Sequence, residues 1–258
     1  MKPRQFRAGA LLLALALAIP SLSIAQQNPP PQWSMITSTQ IKPEFRAEYE
    51  AIQKEITAAY KKSGVPSRIV AQITFGDVME YVSIMPIAKF ADLDGPSALA
   101  KALGGEAAAQ KMLKRMAPYI VSVHRTADLA MPDVSIQTPA DIGEWVQVAD
   151  YQLLPGKAAE FSAFLKSDYL PAMKKAGVTN VFVSRPIFGG DSNHRTIVIP
   201  MKKMAEIDLG PATTRGLGAE GARGLNAKQA TMVASVSRII AHIRMDLSYL
   251  PAPPKGTQ

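Results

Sequence analysis

The sequence contains one pattern twice, and this internal repeat is the feature that most limits what the chain can fold into. Residues 33–65 and residues 144–178 both show a strand pattern, a proline-containing turn, an amphipathic helix pattern and a terminating glycine. Trp33 of the first copy matches Trp145 of the second at an offset of 112 residues, 145 minus 33. A repeat of this length indicates two similar supersecondary units, because a solenoid is built from three or more shorter repeats.

The offset between the two copies grows in small steps along the chain, as it does when loops gain residues. The matched pairs are Pro43 and Pro155 at 112, Gly64 and Gly177 at 113, Pro86 and Pro200 at 114, and His124 and His242 at 118. Both histidines are followed four residues later by Asp-Leu. We therefore interpret the two histidines as equivalent residues of the two copies.

Hydrophobic spacing predicts the same order of elements, β-α-β-β-α-β, in both copies. In the first copy, we expect strands at 33–41, 68–75, 79–85 and 120–129 and helices at 43–63 and 106–117. In the second copy, we expect strands at 145–153, 181–188, 195–199 and 238–248 and helices at 157–176 and 226–237. This order is that of the ferredoxin-like split βαβ unit. The predicted fold class is α+β, with tandem ferredoxin-like repeats at 33–131 and 144–250 joined by a linker at 132–143.

The predicted helices should cover one face of each four-stranded sheet and leave the other face bare. The strands carry too many apolar residues to leave this second face in water. We therefore expect the two sheets to pack against each other around a barrel-like lumen. One chain would then complete the barrel by itself, as a monomer or as a homodimer formed through outer surfaces.

The first 25 residues have the pattern of a secretory signal. Three basic residues precede an apolar run at 8–19 that is too short to span a bilayer, and small residues lead up to a cleavage position after Ala25. We therefore expect a periplasmic or secreted protein whose mature chain is soluble. Residues 26–32 form a predicted proline-rich tether, and residues 251–258 form a predicted disordered tail.

The absence of cysteine excludes several kinds of chemistry. The chain can form no disulfide, no thiol nucleophile and no thiolate metal site. The formal net charge is +8, and the signal segment carries three positive charges and no acid, which leaves +5 for the mature chain, 8 minus 3. Because the positive charges are spread along the chain, we expect no nucleic-acid partner.

The turn YQLLPGK at 151–157, together with the duplicated element order, resembles the dimeric α/β-barrel superfamily and, within it, NIPSNAP-like proteins. The resemblance covers nearly all of the mature chain. The first copy departs from it, since Thr39 and Glu44 stand where Tyr151 and Gly156 stand in the second. The resemblance implies a pseudo-dimeric α/β barrel with a pocket. The superfamily includes small monooxygenases, haem-handling proteins, haem peroxidases, isomerases and members with no known activity, so the resemblance implies no particular reaction.

His124 and His242 are the first candidate ligand-binding residues, because each lies on the last predicted strand of its copy. Strand alternation places His124 on one face with Ser122 and Thr126, and we expect this more polar face to line the lumen. A histidine there could bind haem iron, exchange a proton or donate a hydrogen bond. The alternative is a structural histidine bonded to a neighbouring strand. No HxH, HxxxH or HExxH spacing is present, so no non-haem metal site is predicted.

Arg244, Arg185 and Tyr151 complete the set of candidate ligand-binding residues. Arg244 shares the predicted face of His242, and Arg185 lies in mid-strand beside Pro186. Two arginines in the lumen would favour an anionic or carbonyl-bearing ligand, because a guanidinium binds such oxygen atoms strongly. The alternative for Arg185 is an edge position that faces water. Tyr151 begins the turn that carries the resemblance.

Residues 216–221, GLGAEG, fit the G-x-G-x-x-G spacing of dinucleotide-binding loops. The match does not directly follow a predicted strand, and the first copy lacks it at 101–106. We therefore interpret it as a flexible loop and not as a cofactor site.

The sequence favours an exported protein that binds a small apolar or anionic molecule in the barrel lumen, and it names neither the ligand nor a reaction. One alternative is a monooxygenase-like or haem-handling enzyme, in which a convergent set of polar groups should line a sizeable cavity. Another is a structural or assembly protein whose barrel is filled by its own side chains. Haem is the one cofactor that the resemblance leaves open, and no metal is predicted.

Overall fold

Residues 32–138 and 143–250 are described by the computed structural model of the chain. The predicted signal segment, the predicted tether as far as residue 31 and the predicted tail lie outside the described residues. Residues 139–142 of the predicted linker also lie outside them. Within the described ranges, no helix has both the length and the apolar character needed to cross a bilayer.

Each half of the chain contributes four strands and its own helices to the fold. The first half contains β1 (Trp33–Ile41), α1 (Arg46–Lys62), β2 (Ile69–Phe75), β3 (Glu80–Ile87), α2 (Ala98–Leu103), α3 (Glu106–Met116) and β4 (Ile120–Ala130). The second half contains β5 (Trp145–Leu153), α4 (Ala158–Phe164), α5 (Leu170–Lys175), β6 (Phe182–Phe188), β7 (His194–Met201), α6 (Ala212–Ala230) and β8 (Val233–Ile243). The predicted bounds of β1 and β5 are confirmed.

The eight strands form one closed barrel in the order β1-β3-β2-β8-β5-β7-β6-β4. Within this ring, the strands of the first half stand in the order β4-β1-β3-β2 and those of the second half in the order β8-β5-β7-β6. Both halves therefore have the same strand order, which is fourth, first, third and second. Two antiparallel seams, β2 with β8 and β4 with β6, join the halves.

The barrel-like lumen is confirmed, but the expectation of two separate sheets packed face to face is wrong. The halves are joined edge to edge, with Ala71 opposite Ile243 at one seam and Leu129 opposite Arg185 at the other. The physical reason lies in the edge strands, each of which exposes a row of unpaired backbone N–H and C=O groups. The neighbouring half pairs with part of each edge, over four residues at each seam, which leaves one continuous sheet with an inner and an outer face.

Apolar side chains from all eight strands fill the inner face of the barrel. Examples, one from each strand in chain order, are Ile36, Ile73, Ile84, Ala130, Val148, Phe182, Val198 and Ile243. Because successive strand residues point to opposite faces, the residues between them lie on the outer face, where each half packs against its own helices.

The long helix predicted at 157–176 is interrupted in the structure. One turn of π-helix, Leu165–Tyr169, separates α4 from α5. There the backbone N–H of Leu170 donates to the carbonyl oxygen of Leu165, five residues earlier. Pro171 favours the interruption, because proline has no N–H to donate to the carbonyl four residues before it.

The last helix and strand lie nearer the N-terminus than the sequence predicts. The helix predicted at 226–237 and the strand predicted at 238–248 are in fact α6, which ends at Ala230, and β8, which begins at Val233. Glycine has a low helix propensity, and the glycines in the first part of α6 concealed it from the hydrophobic pattern.

The G-x-G-x-x-G match at 216–221 lies within α6 and not in a flexible loop. Gly216 is required by packing, because a Cβ atom there would lie 2.2 Å from the carbonyl oxygen of Ala172 in α5. Gly218 has a φ of 73° and forms a kink in the helix. Gly216 thus lets α6 approach α5 closely, and Gly218 allows the kink, so these two glycines are explained without a nucleotide.

The segment that follows the last strand of each half crosses onto the other half. After β4, Ile136 forms a bridge with Val181, and after β8, Tyr249 forms a bridge with Arg68. The offset is 113 for both partners, 249 minus 136 and 181 minus 68. A serine hydroxyl secures each crossing: the N–H of Val183 donates to Ser135 Oγ at 3.0 Å, and the N–H of Val70 donates to Ser248 Oγ at 2.8 Å.

Replacing either crossing serine should destabilise the whole barrel. In Ser135→Ala and Ser248→Ala, a backbone N–H loses its acceptor, so we expect each variant to lower the free energy of unfolding by about 1–2 kcal/mol. Urea unfolding curves measure this quantity. The matched control is Ser162→Ala, whose hydroxyl donates only to the carbonyl of Ala158 in the same helix. Equal small effects in all three variants would contradict the interlocking role.

Candidate functional site

A cleft separates the outer face of the second half's sheet from helices α5 and α6, and we call it the second-half cleft. Its volume is about 370 Å³, within the range of roughly 300–1,000 Å³ that is typical of small-molecule sites. An adjoining cavity of about 570 Å³ shares Gln147, Asn226 and Arg238 with it, so the two form one groove. The apolar lining comprises Phe75, Met173, Ile197, Ile199, Ile207, Pro211, Leu225 and Ile240.

A small number of polar side chains face this apolar lining. On β5, strand alternation puts Gln147 and Tyr151 on the outer face. Arg238 on β8 stands opposite Ala149 of β5 and therefore shares that face. Helix α6 contributes Asn226 and Gln229, and the π turn contributes Tyr169. Apolar walls with a few convergent polar groups are the composition expected of a ligand site.

The two tyrosines of the second-half cleft are buried beside a positive charge. Burial raises the pKa of the Tyr151 phenol, and the charge and hydrogen bond of Arg238 oppose this rise. Burial also raises the pKa of Tyr169, as does nearby Tyr151, while Arg238 again acts in the opposite direction. Both phenols are therefore protonated at neutral pH and can donate hydrogen bonds, next to a guanidinium that is always charged.

One wall of the second-half cleft comes from the first half. Phe75, at the end of β2, stands opposite Ile240 of β8 across the seam and lines the cleft. Its side chain is 58% exposed, so its outer surface is available to a bound molecule. The pairing of β2 with β8 thus supplies one residue of the cleft lining.

The first half has an equivalent cleft of about 600 Å³ with a different polar arrangement. Arg125 takes the place of Arg238, at an offset of 113, but its Nε donates to Thr37 Oγ1 at 3.1 Å. In the second half, Ala149 stands where Thr37 stands, at an offset of 112, and has no hydroxyl. The guanidinium of Arg238 is therefore not held in the way that Arg125 is.

A second group of titratable residues, three carboxylates, lies on the lumen side of the sheet. Glu80 and Asp128 are buried, and Asp150 extends the inward-facing row of β5. Each accepts a hydrogen bond from a hydroxyl group, Glu80 from Ser38, Asp128 from Thr126 at 2.6 Å and Asp150 from Thr196 at 2.7 Å. No group of three or more possible metal ligands occurs among the described residues, so these acids do not form a metal site.

Burial is the largest influence on the pKa values of the lumen carboxylates. It raises the pKa of Glu80 to about 7, with additional effects of Asp77 and Asp150. It raises the pKa of Asp128 to about 6, where Asp150 again adds to the rise. The pKa of Asp150 is also raised by burial, although Thr196 and His194 oppose the change.

No protein-family model matches the chain, and no curated protein matches it. Solved structures do match. A "putative monooxygenase" from Lactobacillus acidophilus aligns over 85% of this chain and 96% of its own, with 12% identity and a TM-score of 0.58. An anthrone oxidase-like protein aligns over 83% of this chain and 91% of its own, with 13% identity and a TM-score of 0.54.

The fold is that of a dimeric α/β barrel. At these identities the likeness concerns the fold alone. A NIPSNAP family protein from Agrobacterium tumefaciens aligns over 43% of this chain and 94% of its own, with 14% identity and a TM-score of 0.32. In the dimeric α/β barrel formed by this chain, both halves belong to one polypeptide, so a single chain supplies all eight strands.

The two predicted histidines lie on opposite faces of the barrel. His124 stands opposite Ser38 on the lumen side, as expected. His242 stands opposite Trp145 on the outer side, with ring centroids 4.6 Å apart. The equivalence of the two histidines is wrong, because Leu129, opposite Trp33, occupies the position that His242 occupies opposite Trp145.

The predicted lumen position of Arg244 is wrong, because the residue follows the end of β8 and turns to the outer side. Its Nη1 and Nη2 atoms donate to Glu50 at 2.6 and 2.8 Å, and its Nε donates to Asp246 at 2.9 Å. Its guanidinium therefore forms an ion-pair network between α1 and the crossing segment. This network lowers the pKa of Glu50, and that of Asp246, to about 2.

Arg185 also lies on the outer face, opposite Leu129, and not in the lumen. It is close enough to Arg195 to lower the pKa of that buried guanidinium, second to burial itself. Tyr151 is the one residue of the predicted set that lines the second-half cleft. The ligand-binding roles of the other four stay predictions without a shared site.

Sequence reasoning missed the residues that face one another in the two sites. Arg238 and Gln147 were not predicted as site residues, because helices were expected to cover the whole outer face of the sheet. The lumen acids Asp128 and Asp150 could have been found by alternation, since Asp128 shares its face with His124 and Thr126 on β4. Helical spacing predicts the inward position of Tyr169 in the helix at 157–176, but it does not indicate that this face lines a cleft.

Haem does not fit the residues that line the described clefts of this dimeric α/β barrel. Axial haem ligands in proteins are His, Cys, Met or Tyr. No histidine lines these clefts. The methionines that line them are packed into the apolar cores: Met85, Met173 and Met201 are 7%, 1% and 5% exposed, and Met35 packs against the core of the first half. The raised pKa values of Tyr151 and Tyr169 keep both phenols neutral, which makes them poor iron ligands. We therefore assign no chemistry to haem.

Two sets of carboxyl groups give the free energy of unfolding opposite pH dependences. Glu80 and Asp128 have raised pKa values, so their contribution is complete below the unfolded values and is lost as pH rises through about 6 to 7. Glu50 and Asp246 have lowered pKa values, so their contribution is present above the unfolded values and is lost as pH falls toward about 2.

Stability should therefore be greatest near about pH 5 and fall on both sides. Glu80→Gln should reduce the decline between about pH 5 and 8 by on the order of 3 kcal/mol, since one pKa unit corresponds to about 1.4 kcal/mol. Urea unfolding at a series of pH values measures the effect. Glu48→Gln, an exposed acid on α1, is the control and should leave the pH profile unchanged. A constant free energy of unfolding from pH 5 to 8 in the unmodified protein would exclude this account.

Proposed function

We propose that the chain binds a small, flat, largely apolar molecule that carries one anionic or carbonyl oxygen, and that the second-half cleft is its site. The observation that carries the proposal is the guanidinium of Arg238 at the mouth of an apolar cleft of about 370 Å³. Among the described residues, Arg238 forms no ion pair with a carboxylate. A ligand oxygen would supply the missing negative partner.

The proposal includes the internal architecture of the barrel. We infer that residues 33–131 and 144–250 are two tandem ferredoxin-like units that arose from one pattern. The shared strand order of the two halves supports this, as do the equivalent crossing segments with their serine contacts. Each unit then carries one outer cleft, and the two clefts have diverged.

The shape and lining of the second-half cleft favour a flat ligand. Its walls are a β-sheet on one side and helices on the other, and branched aliphatic residues such as Ile197, Ile199 and Ile240 cover the sheet side. Carboxamides of Gln147, Asn226 and Gln229 are available for additional oxygen or nitrogen atoms. A fused aromatic ring system with one acidic substituent matches both features.

An aromatic acid should therefore bind, and binding should depend on Arg238. We expect Arg238→Met to weaken the binding of 2-naphthoate at least tenfold, because hydrogen bonds to charged groups contribute about 1.5–3 kcal/mol. Isothermal titration calorimetry measures the affinity. Arg125→Met, the equivalent change in the first half, is the control and should bind 2-naphthoate as the unmodified protein does. An unmodified protein without measurable affinity, or equal losses in both variants, would refute the proposal.

Oxidation of such a ligand by O₂ is a second candidate function. The specific observation is that the guanidinium of Arg238 lies beside the apolar lining of the second-half cleft. When a bound ligand loses a proton, Arg238 would stabilise the resulting enolate or phenolate. The names of two proteins with this fold, monooxygenase and anthrone oxidase-like, are consistent with it. The balanced reaction converts a CH₂ group into C=O, with one atom of O₂ retained in the product and the other released as water.

Anthrone tests the second candidate directly, because it contains an acidic CH₂ group between aromatic rings. We expect the protein to increase the rate of O₂ uptake and of anthraquinone formation, and Arg238→Met to remove most of the increase while Arg125→Met does not. An oxygen electrode and the absorbance of the product give the two readouts. Binding of 2-naphthoate without any acceleration of anthrone oxidation would leave the binding function and reject the enzymatic one.

A further inference from the structure

The first helix of the second half contains one residue more than its counterpart in the first half. Glu48 and Glu160, early in the two helices, match at an offset of 112, whereas Gly64 and Gly177, just after them, match at 113. In the first half, α1 runs from Arg46 to Lys62 as one helix. In the second half, the additional residue is taken up by the π turn Leu165–Tyr169.

Contacts on both sides hold the π turn in place. Lys228 Nζ of α6 lies 2.7 Å from Asp168 Oδ2, and Ser167 Oγ donates to the carbonyl of Ala163 at 2.9 Å. Pro171, just beyond the turn, has no N–H with which to restore regular α-helical bonding. A single π turn inside a helix forms poorer hydrogen bonds than the α-helix and occurs frequently at functional sites.

The π turn ends in a phenol at a place where the first half has an aliphatic side chain. Tyr169, its last residue, lines the cleft beside Tyr151 and Arg238. The corresponding residue of α1 is Ile56 at the later offset, 169 minus 113; like Tyr169, it is buried in the core cluster of its own half. The first half therefore has no phenol at this position. Removing one residue from the turn would rotate Tyr169 by about 100° around the helix axis.

We propose that Tyr169 is a specificity-determining residue of the second-half cleft and that the π turn exists to place it. Its neutral phenol donates a hydrogen bond to the same ligand oxygen that Arg238 binds, so that the cleft selects oxygen-bearing aromatic molecules over hydrocarbons of equal shape. The inference rests on the proposed ligand-binding function of the cleft. Beyond that function, it assigns the selectivity of the cleft to Tyr169 and to the π turn.

The decisive variant is Tyr169→Phe, which removes only the hydroxyl. We expect it to weaken binding of 2-naphthoate about tenfold and to leave the affinity for 2-methylnaphthalene, which has no oxygen, unchanged. Tyr60→Phe removes a phenol from the buried side of α1 and is the matched control, with no effect on either probe. A merely structural role of Tyr169 would change both affinities together, and that result would overturn the inference.

Deletion of Lys166, an exposed residue of the π turn, tests the helix irregularity itself. We expect the shortened helix to lose the preference for 2-naphthoate over 2-methylnaphthalene, with the far-ultraviolet circular dichroism of the barrel retained. If the deletion variant does not fold, the two affinities of Tyr169→Phe decide the matter.

The outcomes separate this inference from the proposed function. If Arg238→Met loses 2-naphthoate while Tyr169→Phe binds it like the unmodified protein, the function stands and the role of Tyr169 is refuted. If the unmodified protein binds neither probe, the proposed function itself fails, and the inference fails with it.

Discussion

Closure of the sheet is the constraint on which the rest of the structure depends. A four-stranded sheet has two edge strands with unpaired backbone groups, and the seams between β2 and β8 and between β4 and β6 pair these edges with each other within one chain, over four residues of each strand. Once the ring is closed, strand alternation decides whether each residue lies in the lumen or under the helices. Apolar residues of every strand fill the lumen. The described clefts therefore lie between the sheet and the helices, and not inside the barrel as the sequence suggested.

The two copies of the repeat have diverged most where they carry polar groups. On the lumen side, the positions of Thr126 and Asp128 on β4 correspond to Ile239 and Ala241 on β8, at an offset of 113, so the second half has no acid equivalent to Asp128. On the outer side, an arginine is retained in both halves, but Arg125 bonds to the hydroxyl of Thr37, whereas Arg238 bonds to the phenol of Tyr151. A duplicated fold can thus keep one stable framework while its halves acquire different chemistry.

Local patterns predicted the part of the fold that local physics determines. Alternation and the turn at 151–157 give β5 its observed bounds, and the element order follows from hydrophobic spacing. The seams could not be predicted in this way, because the partner of an edge strand is not a local property. The false pairing of His124 with His242 has the same origin, since register is set by backbone pairing and not by a single matching residue. Likewise, Gly216 lowers the helix propensity of α6 and so hides the helix in the sequence pattern. A glycine is needed there because α6 contacts α5 closely, and this contact is not a local property.

The irregular features of the second half are concentrated in the helices that cover its cleft. The π turn separates α4 from α5, and Gly218 kinks α6, whereas α1 of the first half is an uninterrupted helix. The strand residues of the cleft, in contrast, belong to a closed sheet in which every strand has two neighbours. Such a sheet can hold Arg238 and Gln147 at fixed positions while the helix side changes by insertion and kinking. The structure thus joins a rigid wall of the second-half cleft to an adjustable one. Under the proposed binding function, this division would allow one additional residue to set selectivity without any change in the barrel.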